Sequence, residues 1–258
     1  MAFTPHKNTT LRASLSSGFR APNIDDLAKV FESSTAAKQV VLPNANLKPE
    51  YTYNLDVSVT QVIAEKVTVG VTGFYTLFKN AIIKAPFKLN GQDSIIYNSV
   101  KSQVLASQNV NKANIYGFTV DLNATITEGL TISSTLSYTK GTYKTDDTKT
   151  SSIYEKQANG SYLLINKKVA TRPLDHIPPV MGKTNIAYQH KKFNTEFYLL
   201  YNGWKRLNQY NADGEDNAQY ATADGMPSWL TANWKANIGC TKNIQLQVGI
   251  EKYLRPQL

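Results

Sequence analysis

The sequence predicts an all-β protein, namely a segment of an antiparallel transmembrane β-barrel that forms an open curved sheet when it stands alone. Three observations lead to this fold class. Apolar and polar residues alternate with period two, tight turns alternate with long connections, and the apolar face of the clearest strands carries no charge. Alternation with period two is typical of strands that have one apolar and one polar face. We expect nine or ten strands.

The alternation is clearest in residues 51–60 and 116–126. From Tyr51 every odd position is apolar or aromatic and every even position is polar, whereas residues 116–126 place the apolar side chains at even positions. Nine strands are expected near residues 11–19, 51–60, 66–78, 116–126, 130–138, 182–190, 193–201, 230–240 and 244–250. Their expected length of about 9–13 residues suits a tilted strand that crosses a bilayer. A helical pattern occurs only weakly, in residues 23–31.

The connections alternate regularly between short and long. The expected tight turns are residues 64–66, 127–129, 190–192 and 240–243, and the expected long connections are residues 19–50, 79–112, 144–181 and 203–228. Outer-membrane barrels have short periplasmic turns and longer extracellular loops. Four long loops without secondary structure would be unusual in a compact soluble domain.

The two faces of the expected strands differ in charge. Asp56, Asp121, Glu196 and Lys235 all lie opposite the apolar side chains. This separation suits a membrane wall, because Lys or Arg at mid-bilayer costs about 2–4 kcal/mol. The residues predicted to face lipid are Leu55, Val57, Val59, Phe118, Val120, Leu122, Leu246 and Val248. An aromatic girdle is predicted from Tyr51, Tyr53, Tyr75, Tyr116, Tyr138, Tyr143, Tyr201 and Trp204.

Composition excludes several classes of protein. The 258 residues contain no apolar run near the ~18 residues of a transmembrane helix. Cys240 is the single cysteine, so a disulfide scaffold is excluded. The formal net charge is +9, from 28 Lys+Arg against 19 Asp+Glu. Basic residues are not interleaved with stacking aromatic residues, and we therefore predict no nucleic-acid partner.

Two motifs resemble a known family. Residues 17–23 (SGFRAPN) and 44–50 (NANLKPE) resemble the FRAP and NPNL signature of TonB-dependent outer-membrane receptors. Residues 173–179 (PLDHIPP) and the closing residues 248–256 also resemble segments of that family. The motif residues are Phe19, Arg20, Ala21, Pro22, Asn44, Asn46, Leu47, Lys48, Pro49 and Glu50. Pro22 cannot donate to a β ladder and Pro49 favours an extended Lys48, so a role in shaping the loop between them is also expected.

The resemblance implies that residues 1–258 are the C-terminal part of a larger barrel of about 22 strands. On this expectation, the plug domain and the signal peptide are absent from this chain. The implied location is the outer membrane of a Gram-negative-type bacterium. The implied partners are outer-membrane lipid and lipopolysaccharide, TonB through the plug domain, and a small ligand. The implied function is uptake of a scarce nutrient with no catalytic residues and no cofactor.

An iron chelate, a siderophore or haem, is the expected ligand, because basic loops attract anions. The candidate ligand-binding residues are Arg20, Lys84, Lys88, Lys101, Lys156, Lys167, Lys168 and Trp204. No metal site is expected. No histidine lies between the two motifs, and a structural role is favoured for His176, which lies beside two prolines. The carboxylate-rich residues 146–147 and 213–217 are expected to be solvated loops.

Two alternatives remain open from the sequence. The first is a soluble all-β adhesin or carbohydrate-binding module, in which two stacked sheets would bury the residues predicted to face lipid. The second is a small closed barrel that acts as a pore, which requires residues near 8–18 to pair with residues 244–251. The arrangement of the sheet distinguishes these alternatives from a barrel segment.

Overall fold

The structure, a computed structural model, describes residues 1–28, 30–34, 38–146, 148–213 and 222–254. It contains one short helix, α1 (Ile24–Ala28), and one 3-10 turn (Leu207–Gln209) among many strands. The strands are β1 (Ala2–His6), β2 (Thr9–Arg20), β3 (Phe31–Ser34), β4 (Gln39–Leu42), β5 (Glu50–Ile63), β6 (Val67–Pro86), β7 (Ser94–Tyr97), β8 (Val100–Thr127), β9 (Leu130–Lys144), β10 (Thr150–Lys156), β11 (Tyr162–Lys168), β12 (Thr171–Pro173), β13 (Met181–His190), β14 (Phe193–Asn202), β15 (Lys205–Arg206), β16 (Gly225–Met226), β17 (Trp229–Gly239) and β18 (Gln245–Leu254). Within the described ranges, no helix is long and apolar enough to cross a membrane.

Ten strands form one continuous antiparallel sheet in the order β1-β2-β5-β6-β8-β9-β13-β14-β17-β18. Each strand pairs with the next one along this path, as expected for a meander. Among the described residues the two edge strands, β1 and β18, do not pair with each other, so the sheet is open. The closed-pore alternative is therefore wrong. The sandwich alternative also fails, because Tyr116 and Phe118 are 37% and 41% exposed instead of buried between sheets.

All nine expected strands form, and the all-β fold class is confirmed. The tenth strand, β1, was missed because it has five residues, contains Pro5 and lies at the edge of the sheet. The expected turn at residues 64–66 forms through positive φ angles at Ala64 and Glu65, 49° and 58°. The turn at residues 127–129 depends on Gly129, since a Cβ atom there would lie 2.1 Å from the carbonyl oxygen of Gln189.

The expected strand lengths are wrong for the two longest strands. β6 has 20 residues and β8 has 28, so much of residues 79–112 is strand and not loop. The sequence pattern conceals this extension because Val104, Leu105 and Ala106 are consecutive and all fully buried. A strand that is covered on both faces has no period-two alternation. The expected long connection at residues 144–181 likewise contains the hairpin of β10 and β11 and the short strand β12.

The lower part of the ten-strand sheet, which we call the wall, has one apolar and one polar face. Directly paired residues share a face, and one such row runs from Val59 through Val71 and Val120 to Leu136. The same register places all eight residues predicted to face lipid on this apolar face: Leu55, Val57, Val59, Phe118, Val120, Leu122, Leu246 and Val248. Glu196 and Lys235 lie on the polar face, where Oε1 and Nζ are 2.6 Å apart.

An aromatic row borders the apolar face at the end opposite the tight turns. The rings of Tyr75 and Tyr116 pair across β6 and β8 with centroids 6.5 Å apart, and those of Phe118 and Tyr138 lie 5.7 Å apart. Two residues predicted for this girdle do not belong to it. Tyr143 lies on the opposite face and is buried, and Trp204 follows the end of β14 in a loop.

Beyond the aromatic row the chain forms a second region, which we call the cap and which comprises residues 21–49, 79–113, 141–180 and 203–228 as far as they are described. β4 pairs with β8 in parallel, and β7 pairs with β8 in antiparallel fashion. One small core contains Val40, Leu42 and Val104, and a second contains Ala81, Ala113 and Tyr143. The cap therefore buries its apolar side chains inside protein, in the manner of a soluble domain.

Candidate functional site

The first motif ends β2 and the second begins β5, so the two motifs meet at the border between wall and cap. Arg20 pairs directly with Glu50 in the ladder, and Arg20 Nε lies 3.4 Å from Glu50 Oε1. Glu50 is largely buried, and its Oε2 accepts a 2.8 Å hydrogen bond from the backbone N–H of Ile82. This carboxylate therefore links three strands, β2, β5 and β6.

Two residues of the second motif, Asn44 and Lys48, hold the connection between β2 and β5 against β8. The Asn44 side chain donates to the carbonyl oxygen of Ser107 at 2.8 Å. The Ser107 hydroxyl donates in turn to Asp26 Oδ1 at 2.6 Å, and the Asp26 carbonyl accepts from the backbone of Asn44. Asn109 accepts from the Lys48 backbone N–H at 2.7 Å and donates to its carbonyl oxygen at 2.9 Å. These bonds fix the course of the loop beside α1.

A cleft of about 610 Å³, which we call the mouth cleft, lies next to this network. Its lining comes from β2, α1, β6, β8 and the segment after β12, and consists of Arg20, Asn23, Asp25, Asp26, Ile82, Ile83, Lys84, Ser107, Leu174, Asp175, His176 and Asn211. Two candidate ligand-binding residues, Arg20 and Lys84, therefore share one cleft. Burial lowers the pKa of Lys84, and the carboxylates of Asp26 and Asp175 act in the opposite direction.

A second cleft of about 540 Å³, which we call the rim cleft, lies at the upper edge of the wall between β9 and β14. Two other candidates, Lys156 and Trp204, line the rim cleft. Three further cationic residues that were not among the candidates line it as well, namely Lys140, Lys205 and Arg206. The guanidinium carbon of Arg206 lies 4.0 Å from the centre of the Trp204 ring. No carboxylate occurs among its described lining residues, whereas the mouth cleft has three.

The other four candidates do not converge on either cleft. Lys88, Lys101, Lys167 and Lys168 are all exposed. Lys167 Nζ lies 2.7 Å from Glu155 Oε1 across the hairpin of β10 and β11. Spacing along the chain does not predict this dispersal. Lys101 lies in β8 and Lys167 lies in the separate hairpin of β10 and β11, and only the folded structure shows which side chains of these elements line a cleft.

A buried polar cluster lies inside the cap, and the sequence did not predict it. Arg172 Nη1 and Asp213 Oδ2 are 2.6 Å apart, and these residues are only 4% and 5% exposed. The expectation of a solvated loop is thus wrong for Asp213, and it is untested for Asp147 and residues 214–217, which lie outside the described residues. The hydroxyl of Tyr143 donates to Asn211 Oδ1 at 3.4 Å. Burial raises the pKa of Tyr143 to about 12, and the nearby Arg172 partly opposes this rise.

The described residues contain no group of three or more His, Cys, Asp or Glu side chains arranged to hold a metal ion. His176 is exposed, has a φ angle of 58° and lines the mouth cleft. A single histidine next to a cation and a carboxylate can contribute one ligand to an iron atom that a bound molecule brings with it.

Comparison with protein families gives a match over nearly the whole chain. The family described as TonB-dependent receptor-like, β-barrel, matches residues 1–251. The hemoglobin and hemoglobin-haptoglobin-binding protein of Haemophilus ducreyi is 27% identical over 96% of this chain and 25% of its own length. The iron-regulated outer membrane virulence protein of Vibrio cholerae is 24% identical over 80% of this chain and 28% of its own length.

Solved structures of larger proteins contain a region with a similar fold. The ferric enterobactin receptor of Pseudomonas aeruginosa superimposes with a TM-score of 0.65 at 17% identity, covering 97% of this chain and 33% of that one. At this identity the likeness shows the fold alone. The chain spans about a quarter of the length of the curated relatives that it matches.

Proposed function

The chain belongs to the TonB-dependent receptor family, and on this premise we propose that the intact protein takes up an iron chelate, a siderophore or haem, across the outer membrane. The observation that carries the proposal is the match of residues 1–251 to the β-barrel of the family, together with a sheet whose apolar face is exposed. The family consists of transport receptors, and we infer that this chain catalyses no reaction.

Residues 1–258 would then be the C-terminal part of a longer barrel, with a plug domain encoded elsewhere in the protein. The open edges at β1 and β18 suit this arrangement, because unpaired strand edges need partners in a bilayer. Energy would reach the plug through TonB, and the barrel would supply the outer surface that selects the ligand.

We assign ligand contact first to the mouth cleft, because Arg20 lies on the polar face of the wall where a transported molecule must pass. Its two cations and three carboxylates leave no excess of positive charge. Attraction of an anionic chelate there depends on Arg20 and on the half-buried Lys84, and the desolvation that lowers the pKa of Lys84 also strengthens its contact with a bound anion. The exposed candidates Lys88, Lys101, Lys167 and Lys168 would act through the general field of the cap.

The decisive experiment removes the gene and then supplies it again in iron-starved cells. We expect the deletion strain to lose growth on one ferric chelate or on haem, and the intact gene to restore it. Lys84→Gln in the intact receptor should weaken chelate binding about tenfold, whereas the matched exposed variant Lys88→Gln should change it less than threefold. A receptor that supports growth only on neutral glycans would contradict the proposal.

Haem is one of the two cargoes included in this proposal, and two observations favour it over a siderophore. A relative that covers 96% of this chain is named for binding hemoglobin, and His176 stands in the mouth cleft. His176→Ala should then abolish growth on haem and leave growth on ferric siderophores unchanged. Equal effects on both iron sources would indicate that His176 only shapes the loop, as its positive φ and neighbouring prolines suggest.

A further inference from the structure

The rim cleft has a cationic lining and lies at the upper edge of the wall, and the proposed uptake function explains neither feature. Four cationic residues line it, namely Lys140, Lys156, Lys205 and Arg206, and no carboxylate occurs among the described residues of its lining. The mouth cleft has no lining residue in common with it. The rim cleft is therefore a separate site with its own electrostatic character.

The cleft exists because the wall is locally unpaired. β13 pairs with β9 at residues 130–137 and β12 pairs with β9 at residues 142–144, so no strand in the described part of the chain pairs with residues 138–141 on that side. Residues 174–177 pass beside this gap on the polar face of the sheet, the face that Gly141 shares with Tyr143. Gly141 permits their approach, since a Cβ atom there would lie 2.6 Å from Ile177 Cδ1.

The position of the cleft relative to the bilayer follows from the register. Tyr138 and Lys140 lie on the apolar face of the wall, and Lys140 pairs with Tyr116 of the aromatic row. A tyrosine row marks the level of lipid headgroups, and a lysine at that level extends its ammonium group into the headgroup layer. The cleft thus borders the apolar face where a lipid headgroup would lie, and not only the path of a transported ligand.

The side chains offer directional contacts in addition to charge. The Arg206 guanidinium stacks on Trp204, which holds it in one orientation, and a guanidinium can donate two parallel hydrogen bonds to a phosphate. The indole N–H of Trp204 is buried and has no acceptor among the described residues. Asn208 and Gln209 add amide groups suited to sugar hydroxyls.

We propose that the rim cleft binds the phosphate group of an outer-leaflet glycolipid, with Lys140, Lys156 and Arg206 as the contacting cations. Lys205 is only 6% exposed and lies 4.5 Å from the centre of the Tyr210 ring, so it is not assigned as a contacting cation. A soluble phosphate offers the same oxygen atoms, but the outward-facing Tyr138 and the level of the aromatic row favour the lipid-borne form.

The test titrates the intact, detergent-solubilised receptor with a diphosphorylated glucosamine-disaccharide lipid and counts bound lipid by native mass spectrometry. The triple variant Lys140→Gln, Lys156→Gln, Arg206→Gln should raise the Kd at least tenfold. The control triple Lys88→Gln, Lys101→Gln, Lys168→Gln removes equal charge outside the cleft and should change the Kd less than twofold. The dephosphorylated lipid should bind the unaltered receptor as weakly as the phosphorylated lipid binds the first triple variant.

Three results would overturn the proposal: equal losses in both triple variants, no loss in the first, or displacement of the lipid by inorganic diphosphate at a comparable concentration. The single variant Lys156→Gln, at an exposed hairpin position, repeats the test with little risk to folding and should weaken binding two- to threefold. Lipid binding is measured without transport, so failure of the uptake proposal would leave this result interpretable.

Discussion

The wall and the cap are continuous along β6, β8 and β9, yet they place their apolar side chains in opposite directions. In the wall the apolar residues are on the surface, and Leu15 and Ile250 are 83% and 65% exposed. In the cap they are enclosed, and Val40 and Leu105 are fully buried. The same backbone ladder therefore carries an exposed apolar face in the wall and enclosed apolar cores in the cap.

This contrast shows where each region obtains its stability. The wall depends on paired backbone groups and on a face that lipid can cover, so side-chain packing within it is sparse. The cap depends on small cores and on buried polar contacts, so a single substitution there has consequences like those in a soluble domain. Four substitutions or conditions test this difference, from the largest expected effect to the smallest.

Breaking the Arg172–Asp213 pair should have the largest effect. Asp213→Ala leaves a buried guanidinium without its partner, which costs about 3–5 kcal/mol. We expect the amides of β12 and the adjoining end of β9 in the intact receptor to exchange with deuterium much faster, while the wall stays protected. Lys149→Ala, which breaks an exposed pair with Asp146, is the control and should cost about 0–1 kcal/mol. Similar exchange in the two variants would contradict a structural role for the buried pair.

Leu105→Ala should destabilise the cap by about 2–5 kcal/mol, because the residue is fully buried and its removal leaves a cavity. Leu246→Ala on the apolar face of the wall removes the same atoms from an exposed position and should cost much less. The rate at which a protease cleaves the cap, compared between the two variants in receptor-containing vesicles, measures the difference in stability. Equal protease sensitivity would mean that the cap core does not stabilise the cap.

Val120→Lys should destabilise the wall and leave the cap unchanged, the opposite of the two preceding substitutions. A lysine near mid-bilayer costs about 2–4 kcal/mol, so less receptor should refold into lipid vesicles. Thr119→Lys, one position along β8, directs the same charge to the polar face beside Asp121 and should refold normally. The yield of heat-modifiable, folded receptor on gels gives the readout. Equal yields would show that the apolar face of β8 does not contact lipid.

Alkaline pH should weaken the cap through Tyr143. Its pKa is raised to about 12 in the folded protein, so between pH 10 and 12 the unfolded state loses the proton first and stability falls as pH rises. The full loss is about 3 kcal/mol. Tyr143→Phe has no phenol to titrate, and its cap should open at a rate that changes less with pH, as followed by hydrogen exchange. An unchanged pH profile in the variant would show that other groups cause any alkaline loss.

The sequence was most informative for the wall. Period two identified nine of its ten strands, and the charges of Asp56, Asp121, Glu196 and Lys235 were assigned to the correct face, because alternation is a local property of each strand. The pairing of Arg20 with Glu50 shows in addition that the two motifs meet at neighbouring strands, β2 and β5.

The cap could not be predicted in the same way. In the sequence, residues 104–106 are only a short apolar run. Their burial depends on the pairing of β8 with β4 and with β6, which the sequence does not show. Of the eight candidate ligand residues, Arg20 and Lys84 share one cleft and Lys156 and Trp204 share another. No local pattern distinguishes these four residues from the other four candidates, Lys88, Lys101, Lys167 and Lys168.

Sequence alone determined the fold class, nine of the ten strands of the wall and the faces that their side chains occupy, since each follows from alternation and from connection length. Tertiary structure alone decided that Tyr143 is buried, that Arg172 meets Asp213 across 41 positions of the chain, and that Lys140 and Arg206 line the same cleft. The physical reason is that alternation records which solvent each face meets, whereas pairing between loops depends on distances that appear only when the whole sheet has formed.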